Sequence, residues 1–251
     1  MENLEQKYQS VLKDCTENEH IIGLFWGGSR GKSDDFITEN SDMDIYVILS
    51  DSAPKEVKEK MESYVSSWVE IRVMHITELK NHATWGGSHE WDRYNFAHNK
   101  PIIDKTGEIE KIMEEKGLLP ENVKASVIKD SLDAYINEVY RSAKYYRDGK
   151  DMAGYLDAVE SLPFLMAALY ALEGRVKPYN KYFEWELKNH PLKFLPFDVE
   201  EFIADYLEIS RTGNFETQAK IYKAVKKLFI EQGYKDIFDE WKVYYFVGDE
   251  K

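Results

Sequence analysis

A chain of 251 residues with 43% hydrophobic and 31% charged side chains can bury one large core or two modest ones, as a globular protein does. Lys and Arg number 33 against 46 Asp and Glu, and the resulting net charge of −13 is the wrong sign for gripping a long nucleic acid, while a small cationic substrate suits it. No apolar run approaches the roughly 20 residues needed to cross a bilayer, so no membrane association is expected. The N-terminus MENLEQKYQS also lacks a basic and then apolar signal pattern, which makes the expected location cytoplasmic. The single cysteine, Cys15, excludes an internal disulfide and a cysteine-based zinc site.

Leu4, Tyr8, Val11, Leu12 and Cys15 recur at helical spacing and predict an amphipathic first helix. The short apolar run at 20–26, HIIGLFW, stops at GGSRG and reads as a buried strand. A second strand is expected over 42–50, where Met43, Ile45, Val47 and Leu49 alternate with Asp42, Asp44, Tyr46 and Ile48. Pro54 opens a charged helical stretch. The run at 68–76 then places Val69, Ile71 and Val73 on one face and Glu70 and Arg72 on the other. A short fourth strand at 101–104 ends in the turn Lys105, Thr106, Gly107.

Beyond about residue 121 the strand pattern gives way to helical periodicity, over 123–147, 152–172, 179–188, 199–209 and 215–232. Two domains are expected, residues 1–118 and 119–251, joined near 117–120 without a long linker. In the tail, Val243, Tyr245 and Val247 alternate with Lys242, Tyr244 and Phe246 in strand fashion.

Chemistry concentrates in 23–49, GLFWGGSRGKSDDFITENSDMDIYVIL. Gly27 and Gly28 allow a sharp bend and close approach of backbone to a ligand, and a helix starting near Ser29 would aim amides at a phosphate. Period-two alternation puts Asp42 and Asp44 on one strand face, about 7 Å apart by ordinary strand rise, where they can bridge hard divalent cations. Glu70 on a neighbouring strand would complete a carboxylate trio; the alternative is a solvent-facing residue paired with Arg72.

Gly28, Ser29, Asp42, Asp44 and Glu70 together resemble the pattern of the DNA polymerase beta-type nucleotidyltransferase superfamily: Gly-Ser, a spacer of about a dozen residues, Asp-x-Asp, then a third acid on a later strand. The resemblance implies an α+β fold, with an N-terminal nucleotidyltransferase domain (a mixed sheet with flanking helices) followed by an all-helical domain that binds the acceptor. By domain order, size and the segment RVKPYNKY at 175–182, the chain looks most like the bacterial aminoglycoside and lincosamide nucleotidyltransferases. That branch implies two Mg²⁺ ions held by Asp42, Asp44 and Glu70, a nucleoside triphosphate with ATP expected, and transfer of a nucleoside monophosphate to a hydroxyl of a small cationic acceptor, with pyrophosphate leaving. Transfer to a protein or RNA, or a non-catalytic nucleotide-binding module, is the alternative. Related enzymes include dimers, which leaves a homodimer open.

The resemblance also implies a glutamate base in the helical domain. Asp157 and Glu160, three apart on one helix face, are the candidates, with Glu160 preferred; both also suit the wet face of an amphipathic helix. Arg30 and Lys32 stand near the turn as phosphate neutralisers or as ordinary solvated bases, and Arg175, Lys177 and Lys181 invite the same two readings, with Lys181 the candidate for the phosphates. Trp85, Trp91 and Tyr94 either stack on a base or pack inside the protein.

Overall fold

The computed structural model describes residues 4–241. The chain divides into two compact units, one running to Leu118 and the other starting at Leu119. In the first, α1 (Leu4–Glu17) buries Val11 and Cys15 at the spacing read from the sequence. Burial pushes the Cys15 thiol up to about 12, which leaves it a poor nucleophile at neutral pH. Four strands, β1 (Ile21–Trp26), β2 (Met43–Leu49), β3 (Val69–His75) and β4 (Ile103–Asp104), form one sheet in the order β3-β2-β1-β4. β1 runs antiparallel to β2 and β4, while β2 and β3 are parallel. A parallel pair needs a crossover, and α2 (Lys55–Glu62), begun behind Pro54, lies within it.

Alternation divides the side chains of β2 between two cores. Met43, Ile45, Val47 and Leu49 pack with Val11, Cys15, Met61 and Val69 on one face. Tyr46 and Ile48 pack with Phe25, Leu79, Phe96 and Ile109 on the other. Asp44 shares the alternate positions of Tyr46 and Ile48 and therefore belongs to this second face.

Two α-helices absent from the sequence expectations, α3 (Ile76–Asn81) and α4 (Ile109–Lys116), contribute to that second core, and a 3-10 helix, Glu90–Asn95, leads into its Phe96. Glu78 explains why β3 ends where it does: its carboxylate accepts the His75 amide at 2.7 Å and so caps α3. Buried Arg93 joins these pieces by donating to the carbonyls of Ala83, Glu115 and Leu118 at 2.9, 3.1 and 2.6 Å.

The helix expected near Ser29 is not formed. Residues 28–32 make a turn in which the Gly31 amide donates to the Gly27 carbonyl at 3.0 Å and the Lys32 amide to Ser29 at 3.2 Å. Glycine at 27, 28 and 31 disfavours helix propagation. Only a 3-10 turn follows, Asp34–Phe36, capped by the Ser33 side chain.

The second unit is helical throughout its regular elements. α5 (Glu121–Arg147) and α6 (Asp151–Leu172) are joined by three residues and pack as an antiparallel hairpin. After a 3-10 turn, Asn180–Tyr182, come α7 (Phe183–Asn189), α8 (Val199–Thr212), α9 (Phe215–Glu231) and the unforeseen α10 (Lys235–Asp239). Side chains of Asp198 and Asn214 cap α8 and α9. Among the described residues, α6 alone is long and apolar enough to cross a membrane, but 61% of its apolar window is buried within the protein, as in a core helix. The strand alternation in the tail at 242–247 lies outside the described residues.

Candidate functional site

The expected site residues of the first unit gather where β1 ends and the parallel pair begins. The Gly27 amide extends the β1–β2 ladder by donating to the Asp44 carbonyl at 2.8 Å, and the chain then turns at Gly28 with φ +50°. A Cβ on Gly28 would stand 2.1 Å from Asp44 Oδ2, and one on Gly27 would stand 2.7 Å from the Tyr46 ring and 3.2 Å from Asp44 Cβ. The two glycines therefore let the turn lie directly against the Asp44 side chain. Across β2 and β3, Asp44 is in register with Glu70. Asp44 is half-buried, whereas Asp42, just ahead of β2, and Glu70 are exposed.

The three carboxylates share one end of the sheet without closing into a tight trio. Glu70 lies 3.5 Å from the Arg72 guanidinium. Among the described residues, the one group of three metal-ligating side chains with oxygens within 4.8 Å of one another lies elsewhere, at Glu138, Asp157 and Glu160. The donor chemistry at Asp42, Asp44 and Glu70 nevertheless fits a hard divalent cation, since all the donors are carboxylate oxygens.

Arg72 continues into a buried network. It donates to the Tyr46 hydroxyl at 3.0 Å and to Asp92 at 3.3 Å, while Tyr46 donates to the same Asp92 oxygen at 3.1 Å. His82 Nε2 lies 2.5 Å from that oxygen, and the Asn95 amide donates to the other. Asp92 is fully buried, and this ring of donors is what makes its burial tolerable. Burial and the Asp92 charge push the Tyr46 hydroxyl well up, so it stays protonated and remains a donor. Arg72, Thr77, Glu78, Asn81, His82 and His89 line an open cleft of about 430 Å³ along this face. Sequence reasoning passed over Asp92; the available signal was an acid inside the aromatic segment WDRYNF, whose neighbours are mostly core residues.

The basic candidates separate. Arg30 lies 5.5 Å over the Trp26 ring, and its Nε is buried without a hydrogen-bond partner. Ser29 is half-buried in the turn. The Lys32 ammonium instead donates to the carbonyls of Tyr94 at 2.6 Å, Asn95 at 3.2 Å and Ala97, which closes the C-terminal end of the 3-10 helix at 90–95. Tyr94 is buried beneath it, while Trp91 is exposed.

In the second unit, Arg175 is paired with Glu186 and, at 3.7 Å, with Glu173, and so serves the local packing. Lys181 is exposed, 5.5 Å from the Tyr182 ring. Glu160 is exposed on α6 but does not stand alone, because its carboxylate meets those of Asp157 and Glu138. Burial raises the proton affinity of both Glu138 and Asp157, against the opposing pull of Arg141. Glu138 also escaped the sequence reading, although it falls within the buried periodicity of Tyr135, Ile136, Val139 and Ser142.

No protein-family model matches this sequence, and no curated protein matches it. A solved structure of a nucleotidyltransferase-like protein from Exiguobacterium sibiricum 255-15 is similar over 91% of this chain and 79% of that one, with 12% sequence identity and a TM-score of 0.39.

Proposed function

We propose that the protein is a Mg²⁺-dependent nucleotidyltransferase, which moves a nucleoside monophosphate from a nucleoside triphosphate, ATP being the expected one, to a hydroxyl of a small acceptor. The observation that carries this reading is the Gly27–Gly28 turn seated against Asp44 Oδ2, with Glu70 in register beside it. A glycine turn lets backbone come close to a carboxylate and to whatever that carboxylate holds, and the sequence pattern of Gly-Ser and Asp-x-Asp supports a metal-bound nucleotide as that ligand.

Asp42, Asp44 and Glu70 are the residues that would hold Mg²⁺, which neutralises the triphosphate and lowers the pKa of the attacking hydroxyl. The turn at 27–29 brings Gly28 and Ser29 to the phosphates, and Arg30, with its unsatisfied Nε, offers them positive charge. Arg72 holds Glu70 at the edge of the site and is itself fixed by Asp92 and Tyr46. We assign residues 1–118 to catalysis and 119–251 to acceptor recognition; the net charge of −13 favours a cationic acceptor of the aminoglycoside kind.

One observation favours a second reading. The Glu70–Arg72 pair withdraws the third carboxylate, as suits a nucleotide-binding module without turnover. Pyrophosphate release from ATP, GTP, CTP and UTP with Mg²⁺, measured with and without aminoglycosides and lincosamides, separates the two. Transfer that requires an acceptor and falls at least a hundredfold in Asp42→Asn, an exposed position whose change leaves the fold intact, supports the enzyme. Metal-independent ATP binding without turnover supports the module, and release that survives Asp42→Asn overturns the metal assignment.

A further inference from the structure

The helical unit carries a second carboxylate site, which the proposed reaction does not use and which stands independently of it. Glu138 on α5 and Asp157 and Glu160 on α6 each bring an oxygen within 4.8 Å of the other two. The Glu138 and Asp157 side chains are only 9% and 8% exposed, whereas Glu160 is exposed and opens the cluster to solvent. The hairpin fixes this pairing: one turn along, the Ser142 hydroxyl donates to the Gly154 carbonyl at 2.8 Å, which sets the turns of α5 and α6 face to face.

The nearby cation satisfies these acids only in part. Arg141 donates to Glu138 Oε1 and to Asp157 Oδ1, each at 3.4 Å, and stands 3.2 Å from Asp157 Oδ2, all longer than the roughly 2.7–2.9 Å of a charge-assisted hydrogen bond. The Asn137 amide reaches only Glu138 Oε1, at 3.3 Å. Glu138 Oε2 is buried with no hydrogen-bond partner, and Asp157 Oδ2 meets Arg141 without hydrogen-bonding geometry. A buried carboxylate oxygen without a donor is costly and calls for a proton, a water or an ion. Three carboxylates and one guanidinium leave a charge of −2, which one divalent cation cancels. A donor set made only of carboxylate oxygens selects a hard cation of the Mg²⁺, Mn²⁺ or Ca²⁺ kind over zinc.

We propose that Glu138, Asp157 and Glu160 bind a divalent cation that clasps α5 to α6, separately from Asp42, Asp44 and Glu70. Glu160 is then a cation ligand and not the base that the family resemblance implies. Asp42→Asn/Asp44→Asn removes the first site, and titration of this variant with Mn²⁺ at neutral pH, followed by electron paramagnetic resonance, reads the second. One saturable Mn²⁺ per chain is expected, with affinity falling at least tenfold when Glu160→Gln is added. Because Glu160 is exposed, that change does not endanger the fold. A rise in thermal midpoint with Mn²⁺ that Glu160→Gln abolishes is the second readout. No saturable binding up to about 1 mM, the weak end of carboxylate sites, overturns the proposal, as does binding indifferent to Glu160→Gln.

Discussion

Gly28→Ala tests the site at its tightest point. The new methyl would sit 2.1 Å from Asp44 Oδ2, so the carboxylate must rotate away or the turn must lift. Two costs add. An L-residue held at φ +50° costs about 1–2 kcal/mol, and turning the Asp44 side chain off its preferred rotamer adds about 1 kcal/mol. Gly107→Ala is the matched control, because Gly107 has φ +70° with no atom within 4 Å of its would-be Cβ. It carries the backbone cost alone. Thermal unfolding of the two variants should therefore differ by about 1 kcal/mol, a few degrees in midpoint for a domain of this size. Titration with Mg²⁺ and ATP should show at least tenfold weaker binding for Gly28→Ala and no change for Gly107→Ala. If the two variants melt together and Gly28→Ala binds Mg²⁺ and ATP as the parent does, the close approach to Asp44 is a packing detail and the site assignment fails.

Two further outcomes follow from the geometry of the first unit. Asp92→Ala strips the buried acceptor from Arg72, Tyr46, His82 and Asn95 and should cost about 1–3 kcal/mol in urea denaturation, the usual cost of leaving buried polar groups unsatisfied; a loss below about 0.5 kcal/mol would show that the network is not structural. Asp104 balances burial, which raises its pKa, against amide donors from Glu110, Thr106 and Gly107, and the net is downward from 3.8. A depressed carboxyl stabilises the fold above its unfolded value and loses that contribution as pH falls through the folded one. The thermal-midpoint gap between the parent and Asp104→Asn should thus be full above pH 3.8 and close below it, and a gap that widens on acidification would contradict the donor count.

The strands and long helices were legible because burial wrote a period into them. MDIYVIL alternates so regularly that both of its cores, and the face carrying Asp44, follow from the order of residues. α5 was equally plain, since it keeps an apolar stripe over many turns, and α6 was plain from its long apolar run, which is buried on every side over 168–172. The short covering helices were not. α3 and α4 span six and eight residues, too few turns for a stripe to outweigh their charged positions, and tertiary packing on the sheet decides their conformation. The turn after Gly28 is not a helix for the converse reason: a helix start there suits a phosphate, but three glycines argue locally against propagation.

The polar network and the acidic cluster were hidden by a different limit. Periodicity reports which residues face inward, and it is silent about which inward-facing polar groups meet across elements. Asp92 joins residues of β2, β3 and the segment after α3, separated by up to 46 positions, and no local pattern encodes that meeting. Glu138 and Asp157 each break an apolar stripe on different helices, and only the hairpin register brings them together. An acid on a buried face is the one local trace such sites leave, because its desolvation must be answered by something. At Asp92 the answer is four protein donors. At Glu138 the protein supplies too few, and that difference between two buried carboxylates is what turns one into a structural hub and the other into a place for an ion.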